Sequence, residues 1–373
     1  MKKLDPTTIN GTKGKKLEDG LRSVIVGQDP AVTAISEIYQ MFDNGLTEPT
    51  KPIGSFLFLG PTGSGKTRTV EATAETLLGT PRAVIKIDCG EFQHSHEIAK
   101  LIGSPPGYLG HRETHPLLSQ EVLNHYHSEN IKISFVLFDE IEKASDALWN
   151  LLLGILDKAT LTLGDNRKVD FSRTMIFMTS NLGATKITNN KLGFIGNSIE
   201  NESASKNEKR SADAARKKFT PEFLNRLDKI VVFNSLGEGE IRQILDIELR
   251  LLQNRIFTSN PARSFIFNLS NVAKEFLIHL GTSKAHGARE LKRMIEKKIV
   301  LPLSNLIATN QVTGGDVVYI DCDETGPTFQ LEDEKLSAKD MSDFLEELHK
   351  KNKLTFAATA SGEVQTTKKK KTQ

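Results

Sequence analysis

Short apolar runs alternate with amphipathic stretches through the first two thirds of the chain. Ser55–Leu59, Ala83–Ile87, Ile133–Phe138 and Thr174–Thr179 are nearly continuous apolar runs of strand length, the pattern of strands buried on both faces. Helix-sized segments separate them, the order that a parallel sheet with crossover helices produces. A fifth run, Ile230–Phe233, ends the series. Ahead of the first strand, Leu21–Asn44 carries Ile25, Val32, Ile35, Ile38 and Met41 at mostly helical spacing, which predicts one helical segment followed by a turn over Gly45–Pro52.

The pattern changes near Ser235. Residues 237–306 read as mainly helical, with Leu245, Leu249, Leu252 and Ile256 along one face and Leu291, Met294, Ile295 and Ile299 along another. Val317–Ile320 reads as a short strand. The expected organisation is a polar leader (1–20), an α/β domain with a parallel sheet (21–235), a small mainly helical domain with a short C-terminal strand (236–333) and a polar, basic tail (334–373). The tail, ending in Lys368–Lys371, and the segment Asn189–Lys209 hold too little apolar surface to offset ordering entropy, so both are expected to be disordered.

Charge and cysteine content narrow the function classes. With 49 Lys+Arg against 47 Asp+Glu in 373 residues, the overall charge implies no nucleic-acid or membrane partner, both of which need a concentrated positive field, and any basic patch must be local. Cys89 and Cys322 stand far apart without Cys-x-x-Cys or His-rich company, which points to neither a disulfide framework nor zinc. No apolar run approaches bilayer length, and the first 20 residues have no apolar core of the kind a secretion signal carries. A reducing cytoplasm is the expected compartment.

Two motifs carry chemistry. Gly60-Pro61-Thr62-Gly63-Ser64-Gly65-Lys66-Thr67 follows a strand and opens a helix, the context of a phosphate-binding loop. Backbone N–H groups freed by Gly60, Gly63, Ser64 and Gly65 turn toward phosphates, Lys66 supplies positive charge, and the Thr67 hydroxyl suits Mg²⁺. The run Ile133–Phe138 then ends in two carboxylates with different expected roles. Asp139 would hold Mg²⁺ through water, and Glu140 would polarise the attacking water for in-line phosphoryl transfer.

With these motifs in place the chain resembles the second ATPase module of the Clp/Hsp100 unfoldases, a class of AAA+ proteins, from about Leu21 to about Leu331. The motifs that carry the resemblance are Val26-Gly27-Gln28, Gly60 to Thr67, Ser104-Pro-Pro-Gly-Tyr-Leu-Gly110, Phe138-Asp-Glu-Ile-Glu-Lys-Ala144, Thr179-Ser-Asn-Leu-Gly183, Phe219-Thr-Pro-Glu-Phe-Leu-Asn-Arg-Leu-Asp228 and Gly287-Ala-Arg-Glu-Leu-Lys-Arg293. The resemblance implies a phosphate-loop AAA+ fold with a helical lid. It also implies that Asn181 is a sensor of the γ-phosphate, that Arg226 is an arginine finger acting on a neighbouring subunit, that Arg289 is a second sensor, and that Ile25 and Val26 pack on adenine. An arginine supplied in trans requires a ring, and the family implies a hexamer.

Gly107-Tyr108-Leu109-Gly110 matches the pore loop of the family, in which an exposed aromatic grips unfolded or misfolded polypeptide without sequence preference. Leu161–Arg167 resembles a second pore loop. Leu192-Gly193-Phe194, an apolar pair in a polar segment, resembles the loop by which relatives dock a ClpP-like peptidase. The expected function is an ATP-hydrolysing, ring-forming unfoldase or chaperone with Mg²⁺ as cofactor. The alternatives are the regulatory ring of a ClpP-like protease and a nucleotide-dependent scaffold that does not thread its partner. At 373 residues the chain is expected to be a single-ring version of the family.

Overall fold

Five of the apolar runs pair into one parallel sheet in the computed structural model, which describes residues 11–104, 115–182, 210–259, 263–282, 287–332 and 335. The strands are β1 (Gly54–Leu59), β2 (Val84–Asp88), β3 (Ser134–Asp139), β6 (Thr174–Ser180) and β7 (Lys229–Val232), in the order β2-β3-β6-β1-β7. Between β3 and β6 lies an antiparallel hairpin of β4 (Thr160–Thr162) and β5 (Lys168–Asp170). Every residue of β1 and β6 is buried. Successive side chains feed two separate cores, as period-2 geometry dictates. Phe56, Phe58, Phe135 and Phe177 pack on one face. Leu57, Leu59, Val136 and Ile176 pack on the other. On the first face Phe56 and Phe177, paired in register, stack with ring centroids 4.8 Å apart.

The helix predicted over Leu21–Asn44 is shorter than expected, and a second helix precedes it, mostly within the expected polar leader. Helix α1 (Lys13–Arg22) and helix α2 (Asp29–Asp43) are separated by a bend in which Gly27 has φ of 71°. Pro30, in the first turn of α2, fits there because it lacks only an N–H that would be unbonded anyway. Part of the expected polar leader is therefore structured. Thr12 caps α1 by accepting the Lys15 N–H at 3.1 Å, and Leu17 and Leu21, one turn apart, are fully buried against α2 and the sheet's first core. Helix α3 (Lys66–Leu78) covers the same face, and α4 (Asp146–Lys158) covers the other.

After β7 and the short helix α5 (Pro221–Leu224) that precedes it, a third core forms on α6 (Glu238–Ser259), α7 (Asn271–Gly281), α8 (Ala288–Ile295) and α9 (Leu301–Ala308). The single expected strand is the centre of a three-stranded sheet, β10-β9-β8, made of β8 (Ile266–Leu269), β9 (Val317–Asp323) and β10 (Gly326–Leu331). Leu161, in β4, and Leu163, just after it, belong to the segment likened to a second pore loop and are buried in the second core. Tyr108, Leu109, Leu192, Gly193 and Phe194 lie outside the described residues, as does Asn189–Lys209. Of the tail expected to be disordered, only Lys335 is described, its ammonium 2.8 Å from Asp316. Among the described residues no helix is long and apolar enough to cross a membrane.

Because Leu17 is fully buried, Leu17→Ala is expected to destabilise the fold by about 2–5 kcal/mol, lowering the urea midpoint. Exposed neighbours such as Lys16 should cost less than about 0.5 kcal/mol when changed to Ala. Equal midpoints for the two variants would show that α1 is not docked.

Candidate active site

The phosphate loop spans from β1 to α3 at the C-terminal end of the parallel strands, where ligands bind in open α/β sheets. Gly60 starts the turn with φ of 151°, and a Cβ there would sit 2.5 Å from the carbonyl oxygen of Phe233. Only glycine lets the loop pass so close to the strand-end segment after β7. Gln28, buried at the start of α2, ties the same region together. Its amide donates to Ser64 O at 3.1 Å and Asn234 O at 3.0 Å, and its carbonyl accepts the Asn234 N–H at 3.2 Å.

Lys66 is 7% exposed. Its ammonium donates to the carbonyls of Gly60 at 2.7 Å and Pro61 at 2.9 Å and to Asn181 Oδ1 at 2.9 Å. Burial pulls its pKa down to about 8, against the opposing pull of Asp139 and Glu142. From Asn181 the chain of contacts continues. The Asn181 amide donates to Glu140 Oε1 at 3.2 Å, its backbone N–H donates to Glu142 Oε1 at 3.1 Å, and Lys143 pairs with the Glu140 carboxylate. Glu140 itself sits in the left-handed region with φ of 54°, a strain of roughly 1–2 kcal/mol that turns its side chain off the strand end. Thr179 connects the carboxylates: its hydroxyl donates to Asp139 and accepts the Glu140 N–H at 3.2 Å.

Thus Ile25, Val26, Gly63, Ser64, Gly65, Lys66 and Thr67 line one cleft, together with Asp139, Glu140, Asn181 and Arg289. Gly60 enters through its carbonyl on Lys66. Arg289 comes from α8, whose start meets the phosphate loop directly. The Ala288 N–H donates to Gly63 O at 3.2 Å, and Gly287 before it has φ of 51° with no room for a Cβ, which would lie 2.7 Å from that same oxygen. Leu236, Ile244 and Ile247 join Ile25 and Val26 in an apolar end of the cleft.

Arg226 stands elsewhere. Its guanidinium pairs with Asp157 at 2.5 Å and Glu222 at 2.9 Å, and its carbonyl accepts from Ser55 Oγ at 3.3 Å. Ser55 lies at the opposite end of β1 from Gly60, about 16 Å away at strand rise. Asp228, two residues on, accepts from the Ser55 N–H at 2.7 Å and hydroxyl at 2.6 Å. Thr179, Glu142 and Gln28 were given no role from sequence. Thr179 lies two residues before Asn181 in the same quoted motif, and Glu142 two after Glu140, so position in the motif was the available signal.

Residues 51–230 match the family described as AAA domain (Cdc48 subfamily), and residues 236–320 match the C-terminal, D2-small domain, of ClpB protein. The chain belongs to the Clp/Hsp100 family of AAA+ proteins. Its match to the D2-small domain aligns it with the second ATPase module of that family. Chaperone protein ClpB of Bdellovibrio bacteriovorus is 39% identical over 315 residues, 84% of this chain and 34% of that protein. The ATP-dependent Clp protease ATP-binding subunit ClpC of Staphylococcus saprophyticus is 37% identical over 337 residues, 90% of this chain and 40% of that protein. The S. cerevisiae Hsp104:casein complex in its extended conformation superposes with a TM-score of 0.72 at 33% identity, covering 84% of this chain and 52% of that one. The chain therefore spans between about a third and a half of the length of these relatives.

Two expectations follow. A polyphosphate beside Lys66 raises a pKa that starts at about 8, so at pH 8.5 nucleotide binding should take up more than about half a proton, and affinity should fall as pH rises above 8. Calorimetry in two buffers of different ionisation enthalpy reads the uptake; proton release would contradict it. Gly287→Ala should force α8 off Gly63 and weaken nucleotide binding by about tenfold or more while leaving the helical circular dichroism intact, whereas unchanged affinity would show that this contact is dispensable.

Proposed function

We propose that the chain binds ATP in this cleft, hydrolyses it as part of a ring, and uses the cycle to unfold protein substrates. The observation that carries the reading is the hydrogen-bonded series Lys66–Asn181–Glu140, set beside Asp139 at one end of the sheet and closed by Arg289. Phosphates meet the loop N–H groups, Lys66 and Arg289; the adenine meets Ile25, Val26 and the apolar residues of α6. Thr67 and Asp139 are hard oxygen donors in the same cleft, and among the described residues no cluster of three or more His, Cys, Asp or Glu side chains would bind a metal unaided. That donor set fits Mg²⁺ held jointly by one carboxylate, one hydroxyl and nucleotide phosphates. When bound, Mg²⁺ neutralises charge on the phosphates.

The reaction is in-line attack of water on the γ-phosphorus. The new P–O bond forms from the water oxygen, the bond to the ADP oxygen breaks, and the water proton passes to Glu140. Asn181 orients Glu140 through its amide, and Lys66 leaves the Asn181 oxygen when phosphate arrives. Arg226 is too far from its own cleft to take part there, so on this reading it completes the site of a neighbouring subunit, and a homohexamer supplies that neighbour. Tyr108 and Leu109, at the pore, would convert the cycle into pulling on polypeptide. Similarity to a Clp protease subunit favours one variant of this reading, a ring that feeds a ClpP-like peptidase through Leu192, Gly193 and Phe194. A cytoplasmic setting fits either variant.

Glu140→Gln should retain ATP binding and lose at least about 100-fold in hydrolysis rate. Tyr108→Ala should hydrolyse ATP at close to the parent rate yet fail to unfold a tagged model protein. ATP consumption by the parent with no unfolding of any tested protein would sink the threading reading and favour a scaffold.

A further inference from the structure

The cleft contains one carboxylate that phosphate chemistry does not explain. Glu248 lies on α6 one turn after Ile244 and beside Ile247, and all three line the cleft that Lys66 and Arg289 also line. Its side chain is 18% exposed, and its Oε1 is 2.7 Å from the ammonium of Lys292, which is on α8 and also lines the cleft. Asp139 and Glu140 already serve the phosphate end, where a further carboxylate would add repulsion, so Glu248 suits a part of the ligand away from it.

Helix α8 measures how far away. Its first residue, Ala288, is bonded to the phosphate loop at Gly63, and Lys292 follows four residues later. At the rise of an α-helix, that sets the Lys292 backbone about 6 Å along the helix from the loop contact. Glu248 thus lines the cleft on the same helix as Ile244 and Ile247 of its apolar end, while its partner Lys292 lies about one helical turn from the phosphate-loop contact. In a nucleoside triphosphate, the group between the phosphates and the base is the sugar. A carboxylate has about four acceptor sites, so Lys292 leaves Glu248 able to accept from two adjacent hydroxyls at once. Two vicinal donors match it better than the single amino group of adenine.

We propose that Glu248, positioned by Lys292, accepts hydrogen bonds from the ribose hydroxyls and makes the site selective for ribonucleotides over deoxyribonucleotides. The proposal rests on the nucleotide reading above and adds the sugar to it. Lys292 acts through Glu248: it holds the carboxylate over the cleft and offsets its repulsion of the phosphates.

The test is equilibrium binding to the full chain of ATP, 2′-deoxy-ATP and inosine triphosphate, which does not depend on turnover. The parent should bind ATP about tenfold more tightly than 2′-deoxy-ATP, the loss of one hydrogen bond to a charged acceptor. Glu248→Gln, close in shape, should narrow that ratio, and Glu248→Ala should bring it near one by weakening ATP rather than by strengthening the deoxynucleotide. Lys292→Met should also narrow the ratio, and Lys292→Arg should restore it. Equal affinity of the parent for ATP and 2′-deoxy-ATP overturns the proposal while leaving the nucleotide site standing. A ratio unchanged in Glu248→Ala also overturns it. So does a change confined to the ATP-to-inosine triphosphate ratio, which would put Glu248 on the base. A parent that binds none of the three overturns both this proposal and the nucleotide reading.

Discussion

A buried ammonium surrounded by carbonyls is the interaction on which the rest of this structure turns. Lys66 sits among the Gly60 and Pro61 carbonyls and Asn181 at the end of the sheet, where its pKa falls to about 8. Against its ordinary value of 10.5, that depression corresponds to a cost on the order of 3 kcal/mol for keeping the charge at neutral pH. An arriving polyphosphate offsets that cost, so the site is poised for an anion before one binds. The sheet order makes the arrangement possible. With β1 between β6 and β7, the phosphate loop emerges beside Asn181 on one side and beside Phe233 on the other.

Two contacts convert this local electrostatics into a device of larger scale. Gly63 O accepts from the first turn of α8, so movement of the phosphate loop and of the helical unit carrying Arg289 and Lys292 are geometrically linked. Lys66 also shares Asn181 with Glu140, so a phosphate that draws the ammonium away frees the amide that bonds the proposed water-activating carboxylate. These are discrete hydrogen bonds, and on the proposed reading a bound phosphate offers Lys66 another partner, which is what a two-state element requires. Arg226, held by Asp157 and Glu222 at the far end of β1, is outside this circuit within one chain. On the proposed reading, a neighbour's Arg226 closes it.

The buried strands were legible because each is a continuous apolar run, and the phosphate loop because its eight residues follow one strand and open a helix. Other features depended on contacts that no local pattern announces. Helix α1 was hidden by its lysines: in Lys13–Arg22 only Leu17 and Leu21 are large apolar residues, and one turn of spacing is too little to stand out. The break before α2 depends on Gly27 at positive φ. Strands β8 and β10 are edges of their sheet; the first is four residues long, and the second carries Pro327 and Gln330 in a half-exposed run. Gln28 bonds to residues 36 and 206 positions away, and the Glu248–Lys292 pair joins two helices, so neither leaves a signature in sequence. The residues proposed to carry chemistry lie in motifs, whereas the polar groups that hold them come together only in three dimensions.

The claim that each cleft is completed by another copy of the chain is tested most directly by mixing two inactive variants. Arg226→Ala keeps its own Glu140 but offers no arginine to a neighbour; Glu140→Gln cannot hydrolyse ATP but still offers Arg226. Each alone should be nearly inactive, and a one-to-one mixture allowed to reassemble should recover about a quarter of parent ATPase activity, the share of interfaces that pair an intact cleft with an intact arginine. A mixture no more active than its separate components, or an Arg226→Ala protein that turns over ATP at the parent rate, would contradict it.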